Sequence, residues 1–321
     1  MRWIALAWIW MAACSTQAAT FQETFAANPF TKGWAVYGDT NLFAWDPMNQ
    51  NLAVTWDSSQ PNSYFYHPLG TVLTENDNFS FAFDLEFSSV AIGTDANKPD
   101  TFEVALGLIC FQCATNPVLE RGVGEAVNGA CNVAEFDYFP DSGYGATISP
   151  TILSSNNLFA TSFSFPLTMD TGALFHIAMS YTASNQMLVT TMTRNGLSFG
   201  PVKSTFLPSN FTDFRLDQFA VSSYSDAGAD GSLQAQATVD NIVIVTPPPP
   251  VNYLSGLIVD GTWLIKFMSN TNWVYTLRRS TDLSAWNDVS EPTPGNGTTL
   301  FLQDTNGISG EAFYQVKAER P

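Results

Sequence analysis

Positive charge is scarce in this chain: 12 Lys and Arg stand against 29 Asp and Glu, a formal net charge of −17 at pH 7. Phosphate neutralisation needs clusters of basic residues, and the one adjacent basic pair is Arg278-Arg279, so a nucleic-acid partner is excluded. Histidine is scarcer, with only His67 and His176, which leaves few ways to build a Ser-His-Asp relay or a His-rich metal site. Gly-x-Ser-x-Gly, the phosphate loop and His-Glu-x-x-His are all missing. No stretch reaches the roughly 20 apolar residues of a spanning helix. The apolar fraction is nevertheless 45%, with 25 Phe, enough to exclude a disordered chain, because ordering entropy is offset only by buried apolar surface.

The N-terminus reads as a secretory signal peptide over residues 1–19: Arg2, an apolar run from Trp3 to Ala13, then Ser15-Thr16-Gln17-Ala18-Ala19. The mature protein is therefore expected to be soluble and either secreted or held at the cell surface. Met11-Ala12-Ala13-Cys14 loosely resembles a lipobox, which makes a lipid anchor at Cys14 the lesser alternative. Setting Cys14 aside leaves Cys110, Cys113 and Cys131 in a compartment where disulfides persist. Cys110-Phe111-Gln112-Cys113 has the spacing of half a zinc knuckle, but no second pair follows, so zinc is not expected. The simplest count is one bridge and one thiol. We expect Cys131 to pair with Cys110 or Cys113, stapling the Gly-rich segment from Arg121 to Gly129.

Four consecutive prolines, Pro247 to Pro250, cannot donate backbone hydrogen bonds and adopt stiff extended geometry. They make 246–252 a linker between residues 20–245 and a tail of residues 253–321. Acidity belongs to the first part, with 6 basic and 22 acidic residues, a net of −16; the tail has 5 and 7, a net of −2. Period-two alternation dominates. From Phe79 to Phe87 every odd position is apolar and every even one polar or small, the pattern of a strand with one buried face. Leu52 to Trp56, Phe102 to Leu108 and Met187 to Met192 repeat it, the last running into an Asn195-Gly196 hairpin signal. The fold class expected is all-β: an antiparallel jelly-roll sandwich, then a small β-sandwich in the tail.

One strand carries unusual chemistry. In Val133-Ala134-Glu135-Phe136-Asp137-Tyr138-Phe139-Pro140-Asp141, Glu135 and Asp137 project from the same face about 7 Å apart at the backbone. Such carboxylates repel unless a cation or a proton lies between them. Here the sequence resembles the concanavalin A-like lectin and glucanase superfamily. In legume-type lectins a Glu-x-Asp strand leads into a loop that binds calcium and a transition metal beside the sugar. That resemblance implies Glu135, Asp137 and Asp141 as calcium ligands, with Asp141 standing where Asn is usual. No Asp or His follows from Ser142 to Thr151, so the transition-metal site is lost. In glucanases of the superfamily the strand reads Glu-x-Asp-x-(x)-Glu, the last Glu being the acid/base. Here Phe139 and Pro140 occupy its place and Asp141 comes one residue late, so retaining hydrolysis is not expected.

Thr238 to Val245 resembles the closing strand of such jelly rolls, which adds Asp240 as a calcium candidate. Leu174-Phe175-His176-Ile177-Ala178-Met179-Ser180-Tyr181 resembles a laminin G-like strand and makes His176 a packing residue. Aromatics clustered in the first 70 residues, with Trp45, Trp56 and Tyr66 foremost, are candidates for a sugar platform beside Glu135 and Asp137. The tail's Tyr275-Thr276-Leu277 through Asp282-Leu283-Ser284-Ala285-Trp286, and Phe313-Tyr314-Gln315-Val316, resembles a C-terminal module of bacterial exported proteins. The expectation is an exported, non-catalytic, calcium-assisted carbohydrate-binding protein whose partner is a glycan or surface polysaccharide. Its alternatives are a glycoside hydrolase or polysaccharide lyase of the same fold, and a structural or adhesion protein without a sugar site.

Overall fold

The computed structural model describes residues 18–121, 126–128, 131–259, 262–306 and 312–320. Cys14 and all but the last two residues of the expected signal peptide lie outside them. Strand makes up 56% of the structure and helix 5%, so the all-β expectation holds. Among the described residues no helix is long and apolar enough to cross a membrane.

Two antiparallel sheets form the first domain. In the larger, the strands run Leu197–Ser198, Met187–Arg194, Leu174–Thr182, Phe79–Ile92, Leu233–Thr246, Asn51–Asp57 and Phe43–Asp46, with Ala19–Glu23 added to Leu233–Thr246 and Lys203–Phe206 to Met187–Arg194. The second has seven: Phe159–Thr161, Thr147–Leu153, Val133–Phe139, Val104–Ile109, Leu216–Ser223, Ser63–Leu73 and Ala35–Tyr37. Strands distant in sequence lie side by side in both, as a jelly roll requires.

The alternation from Phe79 to Phe87 does what it predicts: the odd residues enter the core between the sheets. There they meet the even residues of the Glu135 strand. Phe83 packs edge-on against Phe136 at 6.0 Å, and Phe87 lies 5.6 Å from Tyr138. Rings of this size supply much of the buried area of a sandwich core. Since Phe136 and Tyr138 point inward, Glu135 and Asp137 point to the other face of the seven-stranded sheet. Yet Val133–Phe139 is buried throughout, so that face is covered as well.

The tail has its own small core around Phe267, Trp273, Tyr275 and Leu277. It lies between a sheet of Val251–Val259, Thr262–Ser269 and Thr299–Asp304 and another built on Val274–Ser280 and Phe313–Glu319. Thr246 ends the last strand of the first domain, and Val251 already pairs with Ser269. The linker carbonyls are tied down: Asn270 Nδ2 donates to Pro248 O and Pro249 O, and Tyr275 Oη to Pro250 O at 2.7 Å. Arg320 reaches back to Asp77 (2.8 Å) and Thr74 (3.2 Å) while its guanidinium stacks over Trp273.

Candidate functional site

Register defines what surrounds the two carboxylates. Glu135 lies opposite Gly107 and Asp137 opposite Ala105, while Gly107 and Ala105 face Ala220 and Ser222 on the next strand. These side chains are a hydrogen, a methyl or a hydroxymethyl, so the centre of the face is a trough. Arg121 fills it. Its Nε donates to Glu103 Oε1 at 2.9 Å and its Nη2 to Glu135 Oε2 at 3.2 Å, with Asp137 Oδ2 at 3.9 Å. The guanidinium also lies 4.6 Å from the centre of the Tyr224 ring. Glu135 Oε1 accepts from Tyr224 Oη at 2.6 Å and from Ser222 Oγ at 3.4 Å. Arg121, Glu103, Glu135 and Asp137 are all shut off from water.

Three carboxyls around one guanidinium leave an excess of negative charge in a dry place, which favours neutral forms. Burial raises Glu103 to about 8, against the pull of Arg121 and with Asp137 and Glu135 pushing further. Glu135 rises to about 7, again chiefly by burial opposed by Arg121. Asp137 is raised for the same reason. Among the described residues neither Asp137 oxygen has a donor in full hydrogen-bonding geometry, and Arg121 Nη1 has no acceptor. The cluster stores protons as well as charge.

The chain leading to Arg121 roofs the rest of this face. A single helical turn, Phe111–Ala114, sets Phe111 against Tyr66 at 4.3 Å and edge-on to Tyr37 at 6.0 Å. Tyr64 Oη donates to Ala114 O at 2.9 Å. The turn is closed by a Cys110–Cys113 disulfide, and Cys131 is a buried free thiol pushed up to about 12 by burial. The staple from Cys131 to Cys110 or Cys113 is thereby corrected: the two cysteines that share one helical turn pair with each other, a local clip in place of a long loop.

The remaining candidates do not converge on the carboxylates. Trp56 points into the core from the larger sheet, its Nε1 donating to Ser222 O at 3.0 Å, so it offers no platform. Trp45, on the edge strand of the same sheet, is half-buried and donates to Phe25 O. Only Tyr66 shares the face of Glu135 and Asp137, and Phe111 packs on it. Asp240 also belongs to the larger sheet, at a bulge where its carboxylate accepts from Asn241 N at 2.6 Å. Asp141 sits in the turn beyond Pro140, holding Gly143 N at 3.0 Å. Among the described residues no group of three or more His, Cys, Asp or Glu is arranged to hold a metal ion. His176 is not packed inward; its side chain is half-exposed on the outer face of the larger sheet, with Nδ1 2.6 Å from Asp84 Oδ1.

A feature that sequence reasoning missed lies beside Asp141. Tyr144, 75% exposed, lies against Phe165, 53% exposed, with ring centres 5.4 Å apart. Both are held by backbone. Ser142 N and Oγ converge on Gly145 O at 3.1 and 3.2 Å, and Ser142 Oγ pairs with Thr147 Oγ1 at 2.7 Å. Gly143 and Gly145 have φ of +83° and +92°, which closes the turn at little steric cost only for glycine. On the other side Ser164 exchanges two backbone hydrogen bonds with Ile148, and Leu167 N donates to Ala146 O at 2.7 Å. The signal available in the sequence was a tyrosine isolated between two glycines.

No family model matches this chain, and no curated protein does. Solved structures similar to it include peanut lectin with a nine-residue peptide, at 13% identity over 71% of this chain and 98% of that one, TM-score 0.42. A Lotus tetragonolobus seed lectin is 13% identical over 71% and 98%, TM-score 0.44. A Bacillus subtilis protein of unknown function with a galectin-like fold is 9% identical over 71% and 96%, TM-score 0.40. By its own strand order the first domain is an all-β jelly-roll sandwich.

Proposed function

We propose that the first domain is a non-catalytic carbohydrate-binding module of an exported protein, and that it holds its glycan on the rim formed by Tyr144 and Phe165. The observation that carries this reading is the exposed ring pair fixed beside Asp141 and Ser142. Apolar ring faces stack on the C–H faces of a sugar, while a carboxylate and a hydroxyl alongside orient its own hydroxyls. Non-catalytic function is supported by the state of the carboxyls: hydrolysis needs a pair reaching substrate from two sides, and Glu103, Glu135 and Asp137 are engaged by Arg121 out of reach of solvent. Calcium assistance at Glu135 and Asp137 competes with Arg121, which supplies the positive charge in its place.

A glycan array probed with the full mature chain, with calcium and then with chelator, tests this. Binding is expected to survive chelation and to fall about tenfold or more in Tyr144→Ala, about 1.4 kcal/mol, within reach of one aromatic contact. Loss of binding on chelation would restore calcium, and undiminished binding by Tyr144→Ala would remove the rim site. A second reading, a structural or adhesive sandwich without a sugar site, is favoured by the roofed face over Arg121; it requires that no glycan bind at all.

A further inference from the structure

The tail presents an unpartnered strand edge. Among the described residues Val251–Val259 stands at the end of its sheet and pairs only with Thr262–Ser269, while Phe313–Glu319 stands at the end of the facing sheet and pairs only with Val274–Ser280. Between these two edges the small sandwich is open. The opening is a groove of about 260 Å³ whose lining includes Leu254, Trp263, Ile265, Leu277, Tyr314 and Val316. Its side chains belong to the inner layer but lack a cover: Ile258, across from Trp263 in the register, is 62% exposed. Among the described residues the Trp263 indole N–H is shielded from water without an acceptor.

Natural edge strands are blunted by charge, proline or cover. Val-Asn-Tyr-Leu-Ser-Gly-Leu-Ile-Val has no charged residue and no proline. Charge also selects the occupant. The first domain carries a net of −16 and repels its own copies, whereas the tail carries −2, so the tail is where two copies approach at least electrostatic cost. The strand is regular from Ser255 to Val259, after a bulge at Tyr253 with φ of +56°.

We infer that this edge is a homodimer contact, in which the Val251–Val259 strands of two copies pair antiparallel and join their three-stranded sheets into one. Pairing centred on Leu257 sets Ile258 of one copy beside Gly256 of the other, where the Trp263 ring packed over the glycine gives that side chain an apolar neighbour. The contact is isologous, so it closes at two copies.

Light scattering of the full mature chain over a concentration series tests the inference. A reversible monomer–dimer equilibrium is expected, weakened about tenfold or more by Ile258→Lys and unchanged by Phe301→Lys, which alters a comparably exposed residue on the opposite edge strand. Both variants alter exposed side chains, and circular dichroism verifies that they fold. The register has its own readout: Leu257→Cys places two thiols across an antiparallel pair about 4.5–5.5 Å apart at Cα, inside the range a disulfide spans. Mild oxidation should give a covalent dimer through that residue, identified by peptide mapping. A chain that is monomeric at every concentration overturns the inference, and so does a dimer that survives Ile258→Lys and yields no cross-link at 257.

Discussion

Protons held in the Arg121 cluster make the stability of the first domain depend on pH in a direction opposite to the ordinary acidic protein. The Glu103 carboxyl rises from 4.5 to about 8 in the fold. Between those values the folded chain keeps a proton that the unfolded chain has released, so stability is fully present below about pH 4.5 and is lost as pH rises toward 8. One such group changes stability by at most about 1.4 kcal/mol per pH unit. From pH 5 to 7 Glu103 alone therefore accounts for about 3 kcal/mol, a fall of roughly 5–10 °C in melting temperature for a domain of this size. Glu103→Gln keeps the shape and an acceptor for Arg121 Nε but has no proton to lose. Scanning calorimetry of both proteins at pH 5, 6, 7 and 8, at one ionic strength, reads this contribution together with the relief that losing a neighbouring charge gives Glu135 and Asp137. The variant should gain on wild type with each step upward in pH. Adding Glu135→Gln should flatten the curve further, since Glu135 rises to about 7. Parallel curves for wild type and Glu103→Gln would refute the reasoning and show that Glu103 is ionised in the folded state as it is in the unfolded one.

Other expectations follow from the same geometry. Arg121→Met removes the cation from three buried carboxyls and should cost about 3–5 kcal/mol near neutral pH, with the loss shrinking at pH 5 as the carboxyls take up protons; an equal loss at both values would contradict it. Thiol titration of the chain prepared without residues 1–19 should find no reactive thiol in the folded state and one after unfolding without reductant, with Cys131 as the labelled residue. Tyr144→Ala, which abolishes the rim platform, should leave the melting temperature within about 1 °C, because the ring it removes is mostly in water; a large drop would mean that the ring is structural.

Much of the fold was legible because period two states which side of a strand a residue occupies. Phe79 to Phe87 and Leu52 to Val54 face the core as their spacing predicts, and the same rule placed Glu135 and Asp137 on one face. Period two says nothing of what covers that face. Arg121 reaches the carboxylates because Gly107, Ala105 and Ala220 leave a trough that two separate strands create together, a fact held in register rather than in any one segment. Trp56 was a candidate platform for the same reason: its strand was recognised, but which sheet it joined and which way it turned depended on pairing with the distant strand Leu233–Thr246. The cysteines followed local geometry, where one turn of helix brings positions 110 and 113 together and leaves 131 out. Tyr144 escaped because an exposed ring in a turn has no periodicity.

The route by which the tail joins the first domain fixes how the molecule answers a pull. The linker continues directly from Leu233–Thr246, a strand inside the larger sheet with Phe79–Ile92 on one side and Asn51–Asp57 and Ala19–Glu23 on the other. Tension applied through the tail first meets Arg320 against Asp77 and Thr74, then this interior strand along its own axis. When the opposing load is borne at the far end of the sandwich, the hydrogen bonds of both flanking ladders are sheared together rather than unzipped one at a time, as they would be from an edge. A domain tethered in this way yields late and all at once under load.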